Sequence, residues 1–121
     1  NNIILCRGGA GNTMVMDIEG YNDVGLNPGE MPIQWNNWAM YTMYADGTYW
    51  KQYKNGEFYS YEGNYLLPAT VTRSSNFIGR SNWATDAYYY GSMSVIQFYN
   101  RALTEPEILQ NYNYFKGRYG L

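Results

Sequence analysis

Two dipeptides, Asp46-Gly47 and Asn55-Gly56, constrain this chain more than any other feature. Each offers the positive-φ residues that a tight turn between strands demands, and few residue types tolerate that backbone. They bracket residues 48–54 (TYWKQYK), with 38–45 (WAMYTMYA) before and 57–62 after. Three runs of strand-forming residues joined by two tight turns predict an antiparallel meander. The first run is apolar on both faces, which predicts a central strand of a covered sheet.

Outside the meander the pattern stays β. Residues 2–7 (NIILCR) read as a buried strand, 8–12 as its turn and 13–18 (TMVMDI) as the return strand. Residues 20–32 are rich in Gly, Asn, Asp and Pro, which predicts loop with at most a short strand near 24–26. Residues 63–75, with Pro68, form a second loop region. Residues 76–80 and 91–99 read as the last two strands, joined by an aromatic loop at 81–90 (SNWATDAYYY).

One helix is predicted, at 105–114. Thr104 stands as its N-cap with Glu107 three residues on, the arrangement of a capping box. Leu103 and Ile108 occupy the positions of a hydrophobic staple. Pro106 falls in the first turn, where its missing N–H costs little. Ile108, Leu109, Tyr112 and Phe115 predict one apolar stripe. Arg101 is expected to pair or hydrogen-bond at the corner leading into the helix. Lys116 and Arg118 complement the dipole at its far end.

Composition narrows the function. A length of 121 residues fits one domain with one core. Aromatics make up 19% of the chain, with 15 Tyr, and only 15% is charged, which favours an all-β class with half-buried sheet faces. The net charge is −2 and the basic residues are dispersed, so nucleic acid is not the expected partner. The absence of His removes the commonest general base and metal ligand. Cys6 has no second cysteine to pair with and sits in an apolar run, so it reads as a small buried hydrophobe. No apolar run approaches the roughly 20 residues of a membrane span, so insertion into a membrane is not expected. The chain lacks a starting Met and a signal peptide, which leads us to expect a segment of a longer polypeptide.

Several pieces then fall in a familiar order. They are Asn37-Trp38-Ala39-Met40, the Asp46-Gly47 turn, Tyr53-Lys54-Asn55-Gly56-Glu57, and Ile78-Gly79-Arg80 followed by Gly91-Ser92-Met93-Ser94. The last is Tyr99-Asn100-Arg101-Ala102-Leu103-Thr104 with Glu107-Ile108. This order resembles the LamG-like, concanavalin A-like lectin/glucanase domains, over roughly residues 3–121. The ending, NYNYFKGRYGL, resembles versions of the module found in phage and other viral structural proteins. The resemblance implies an antiparallel β-sandwich of jelly-roll type with one short C-terminal helix. Such domains usually carry further strands before the position of Ile3. We therefore expect a single domain over residues 1–121 that lacks its first strands, either because the chain is truncated or because a preceding segment completes the sandwich.

Candidate sites follow from residue chemistry. Sugars are recognised by aromatic rings stacking on their apolar faces while amides and carboxylates bond their hydroxyls. Asn82, Trp83, Asp86, Tyr88 and Tyr90 supply both kinds of group in one loop, against the plainer reading that they pack the rim or meet a subunit. Trp35, Asn36 and Asn37 offer a smaller version. Calcium takes 6–8 oxygens. Asp17, Glu19 and Asp23, with Asn22, form the densest oxygen-rich cluster, against the reading of an ordinary polar loop. Asp17 and Glu19 also have the i, i+2 spacing of a glycosidase carboxylate pair. They lack the third carboxylate of the pattern that related jelly-roll enzymes show, so catalysis is not expected. Gly8-Gly9-Ala10-Gly11 lacks the Lys and following helix of a phosphate cradle and reads as a turn.

The expected function is a non-catalytic recognition or assembly module of a larger surface protein. A virion structural or adhesion protein is the first expectation, placed at the virion surface or outside the cell within an oligomeric assembly. Its partners would be glycans or neighbouring protein subunits, with Ca²⁺ as the one cofactor considered. The alternative is a carbohydrate-binding module attached to a secreted glycan-active enzyme.

Overall fold

The computed structural model describes residues 2–7, 12–19, 31–63 and 67–121. Two antiparallel three-stranded sheets and one C-terminal helix make up its regular structure, a mostly-β sandwich. The first sheet has the order β1 (Asn2–Arg7), β2 (Thr13–Glu19), β3 (Met31–Pro32). The second has the order β4 (Tyr41–Ala45), β5 (Tyr49–Lys54), β6 (Glu57–Gly63), the meander that the two turn dipeptides predict. The helix α1 spans Glu105–Tyr119.

The two turns solve the same problem differently. At β5–β6, Asn55 and Gly56 both have positive φ, 53° and 80°, the signature of a tight primed turn. At β4–β5 only Gly47 is positive, at 95°. There the Asp46 carboxylate accepts from the N–H groups of Thr48 and Tyr49, at 2.8 and 2.7 Å, and so works through its side chain.

Strand alternation gives the second sheet two unlike faces. Met43, Ala45, Trp50 and Gln52 point to the inner face, where Trp50 packs on Met16 of β2 with Met43 and Ala45 around it. That contact joins the two sheets. Tyr44, Tyr49, Lys51, Tyr53 and Tyr61 point to the outer face. A bulge between Gln52 and Tyr53 brings Phe58 opposite Tyr53, onto that face too. The start of α1 covers one end of the outer face: Tyr53, Leu103 and Ile108 form a buried cluster flanked by Met40 and Tyr44.

The helix begins as its capping residues dictate. Thr104 N–H and its hydroxyl both donate to Glu107 Oε2, at 2.8 and 3.0 Å. Leu103 and Ile108 are buried together, as a hydrophobic staple should be. Arg101 grips the Glu107 carboxylate with two nitrogens, at 2.8 and 2.7 Å. The helix runs five residues beyond the predicted end, past Gly117, to a left-handed C-cap at Gly120.

Several expectations need correction. Residues 38–40 lie outside β4, and β4 is an edge strand of the described sheet while β5 is central. The meander residues, not the apolarity of 38–45, decide the order. Residues 76–80 and 91–99 join no strand. Alternation determines which side chains share a face, but a strand exists only where a neighbour takes its hydrogen bonds. Tyr89, in the loop between these segments, donates its N–H to Gly79 O at 2.8 Å. β1 is not a buried strand: Ile3 and Leu5 are exposed and Cys6 is half-buried, because β1 lies at the sheet edge. Leu109 is exposed, so the helix buries Ile108 but not the full predicted stripe.

Candidate functional site

The outer face of the second sheet gathers the densest aromatic chemistry among the described residues. β5 presents Tyr49, Lys51 and Tyr53 in alternation, and β4 and β6 place Tyr44 and Tyr61 on either side of Lys51. Phe58 arrives through the bulge. The rings touch in sequence: Tyr44 with Tyr53 at 6.0 Å between centroids, Tyr53 with Phe58 at 5.6 Å, Phe58 with Tyr61 at 6.3 Å, and Tyr61 with Tyr49 at 5.5 Å. Tyr49, Phe58 and Tyr61 stay partly open to solvent, Tyr61 to 59%.

Two opposite charges sit among these rings. Lys51 Nζ lies 5.9 Å from the Tyr44 ring centroid and 5.8 Å from that of Tyr49, within cation–π range. The Tyr44 side chain and the nearby negative charges of Glu105 and Asp46 raise its pKa. Glu105, at the first position of α1, accepts from the Tyr53 hydroxyl at 3.0 Å. Burial raises the Tyr53 pKa well above that of an ordinary phenol, so the hydroxyl stays a donor. Tyr49, Lys51, Phe58, Tyr61 and Glu105 line an open depression of about 300 Å³.

The loop expected to bind sugar has a different character. Ser81 donates to Asp86 Oδ2 at 2.6 Å and accepts from Trp83 N–H at 3.0 Å, while Asp86 N–H reaches Trp83 O at 3.2 Å. These bonds close residues 81–86 into one turn that holds Asn82, Trp83 and Asp86 together. Tyr88 and Tyr90 lie beyond it, and Tyr90 is fully exposed. The Asp86 carboxylate faces Ser81 within the turn. In the smaller aromatic candidate, the Arg7 guanidinium sits 5.3 Å from the Trp35 ring centroid, and the Asn37 side chain donates to Trp35 O at 3.1 Å. Asn36 adopts positive φ, 57°.

Asp17 and Glu19 fall in β2, their backbones paired with Ile4 and Asn2. Asn22 and Asp23 lie outside the described residues, as do residues 8–11. Among the described residues no group of three or more His, Cys, Asp or Glu comes together as a metal site. No described helix is long and apolar enough to cross a membrane.

The sequence signal for the outer face was present but scattered. Tyr49, Lys51 and Tyr53 alternate along one strand, yet Glu105 is 52 residues from Tyr53 and only the folded chain joins them.

Comparison with known proteins agrees with this architecture. A family model described as the concanavalin A-like lectin/glucanases superfamily, of the laminin G type, matches residues 2–109. No curated protein matches. Among solved structures, residues 221–444 of an S-layer domain-containing protein from Clostridium thermocellum share the fold, with a TM-score of 0.55 and 19% identity. The match covers 91% of this chain and 49% of that one, so the chain spans about half the length of this structural relative.

Proposed function

Since the chain belongs to the concanavalin A-like lectin/glucanase superfamily, we propose that it is a non-catalytic recognition module of a larger cell-surface, extracellular or virion protein. The observation that carries this reading is the outer tyrosine face: partly exposed rings around the Lys51 ammonium and around the Glu105 carboxylate, which Tyr53 holds. Stacking rings and oriented polar groups are what glycan recognition requires, and they need no reacting nucleophile. The likeness to an S-layer domain-containing protein supports a place at a surface.

Contact with neighbouring subunits is the second reading, and one observation favours it. Large apolar side chains stay exposed along residues 77–99, among them Phe77, Ile78, Tyr88, Tyr90 and Phe98, and a contiguous apolar surface of that kind marks an interaction site. The exposed Trp83 loop and Phe98, at 86% exposure, are the aromatic groups best placed to meet a partner.

A glycan array probed with the intact protein, with calcium and with chelator, tests the proposal. Selective binding without hydrolysis of the bound glycan supports a recognition module, and loss on chelation would add a metal through Asp17, Glu19 and Asp23. Turnover of an array glycan, abolished by Asp17→Asn or Glu19→Gln, would contradict it. Silence in both conditions would favour subunit contact.

A further inference from the structure

We propose that residues 91–99 pair edge to edge with the same residues of a second copy of this chain, an inference that rests on the subunit-contact reading above and not on glycan binding. The segment, GSMSVIQFY, has the composition of a strand, with β-branched or aromatic residues at 95, 96, 98 and 99. Among the described residues no backbone N–H of this segment meets a backbone carbonyl, and every residue in it is exposed. It is nevertheless held in place. The hydroxyls of Ser94 and Tyr119 share a hydrogen bond, and the Asn111 side chain donates to the Tyr99 hydroxyl at 3.1 Å. Helix α1 thus anchors a strand-like segment whose own ladder is unfilled, and such an edge is a template for another strand.

Charge selects the partner. A surface that meets its own copy must not oppose its own charges. Residues 88–99 hold no Lys, Arg, Asp, Glu or Pro, and charge and Pro are what normally keep a free edge from pairing. The flanking charges are already engaged. Arg101 binds Glu107 at 2.7 Å, Asp86 accepts from Ser81 at 2.6 Å, and the Arg80 guanidinium lies 4.1 Å from the Phe77 ring centroid. A foreign strand bearing charge would find nothing on 88–99 to answer it. A two-fold-related copy brings donors and acceptors in equal number and sets uncharged side chains against uncharged side chains.

The area suits a second copy as well. The exposed parts of Phe77, Tyr88, Tyr89, Tyr90, Phe98 and Tyr99 amount to about four whole side chains, which at ~200 Å² each offer on the order of 800 Å². That is about 800 Å², the share of one partner in a standard interface. Antiparallel pairing about a two-fold axis normal to the ladder keeps Met93, Val95 and Tyr99 on one side in both copies, and Ile96 and Phe98 on the other. Each apolar set then meets its own kind across the axis, and cross-strand pairs of this sort stabilise a ladder.

Sedimentation velocity of the intact protein over a range of concentrations, with amide hydrogen exchange at 91–99, tests the assignment. The protein should show a reversible step to twice the mass of one chain, with exchange at 91–99 slowed in the dimer. Successive N–H groups of a strand point to opposite edges, so at least one of Val95→Pro and Ile96→Pro should weaken the dimer tenfold or more. The corresponding Thr variants keep the N–H and should retain it. Phe98→Lys, which brings like charges together, should weaken it similarly and serves if the Pro variants lose helical circular dichroism. Tyr61→Ala, on the other sheet face, should leave the dimer unchanged. A dimer that survives the Pro variants and Phe98→Lys overturns the assignment while leaving the subunit-contact reading intact. A monomer at every concentration overturns it too. Slow exchange at 91–99 in that monomer would give the edge to another part of the polypeptide, and fast exchange would remove subunit contact through this segment altogether.

Discussion

The Tyr53 hydroxyl donates to Glu105 Oε1 across 3.0 Å, tying the central strand of the meander to the first turn of the C-terminal helix. Tyr53 is buried and its ring packs with Leu103 and Ile108. Removing only the hydroxyl separates the bond from the packing. Tyr53→Phe should cost about 1.5–3 kcal/mol, the net worth of a hydrogen bond to a charged group, and Tyr53→Ala about 3–5 kcal/mol, as for other buried aromatics. Urea unfolding midpoints of the two variants check both values. Equal losses would mean that the hydroxyl, not the ring, holds the helix.

Glu107 predicts an acid response of the helix. The Arg101 guanidinium, with the Thr104 N–H and hydroxyl, pulls its carboxyl down to about 2. A depressed carboxyl stabilises the fold above its unfolded value, near 4.5, and that contribution fades as pH falls toward about 2. Helical circular dichroism should therefore decline between these limits in the wild type. Glu107→Gln should begin with a less stable helix and show a flatter decline across the same range.

The two turn glycines should differ in tolerance. Gly47 and Gly56 both have positive φ, so alanine is strained at either. A Cβ at Gly47 would lie 3.7 Å from Leu67, an ordinary contact, whereas one at Gly56 would lie 3.0 Å from Tyr112 Cβ. Gly47→Ala should cost about 1 kcal/mol and Gly56→Ala about 2–3 kcal/mol, the strain of the backbone plus displacement of the helix. Thermal unfolding of both variants tests the order, and the reverse order would contradict the packing of Tyr112 on the turn.

Met16 and Trp50 should be energetically coupled, because their contact joins the two sheets. Met16→Ala is expected to cost about 2–5 kcal/mol. A double-mutant cycle with Trp50→Phe should give a coupling of about 0.5–3 kcal/mol. Additive losses would mean that the sheets do not meet at this pair.

What the sequence revealed follows from the range of the interactions. The Asn55-Gly56 turn and the Thr104–Glu107 cap are settled within a few residues, and both were legible. The sandwich class was legible from the order of motifs ending in Asn100-Arg101-Ala102-Leu103. Strand pairing was not, because it depends on distant partners. Residues 91–99 alternate as well as β5 does, yet only β5 has neighbours on both sides. The tyrosine face was missed for a related reason. Tyr53 was noticed as part of a turn motif, while the bulge that turns Phe58 onto its face and the helix that delivers Glu105 depend on pairing and packing. The Trp83 loop is legible as a candidate because its aromatic and polar residues are contiguous.

The most direct test of recognition on the outer tyrosine face is affinity electrophoresis of the intact protein through gels containing a neutral polysaccharide. The wild type should be retarded in proportion to polysaccharide content, and the Tyr49→Ala/Tyr61→Ala double variant should migrate as in a plain gel. Equal retardation of the two, or none in either, would contradict the account.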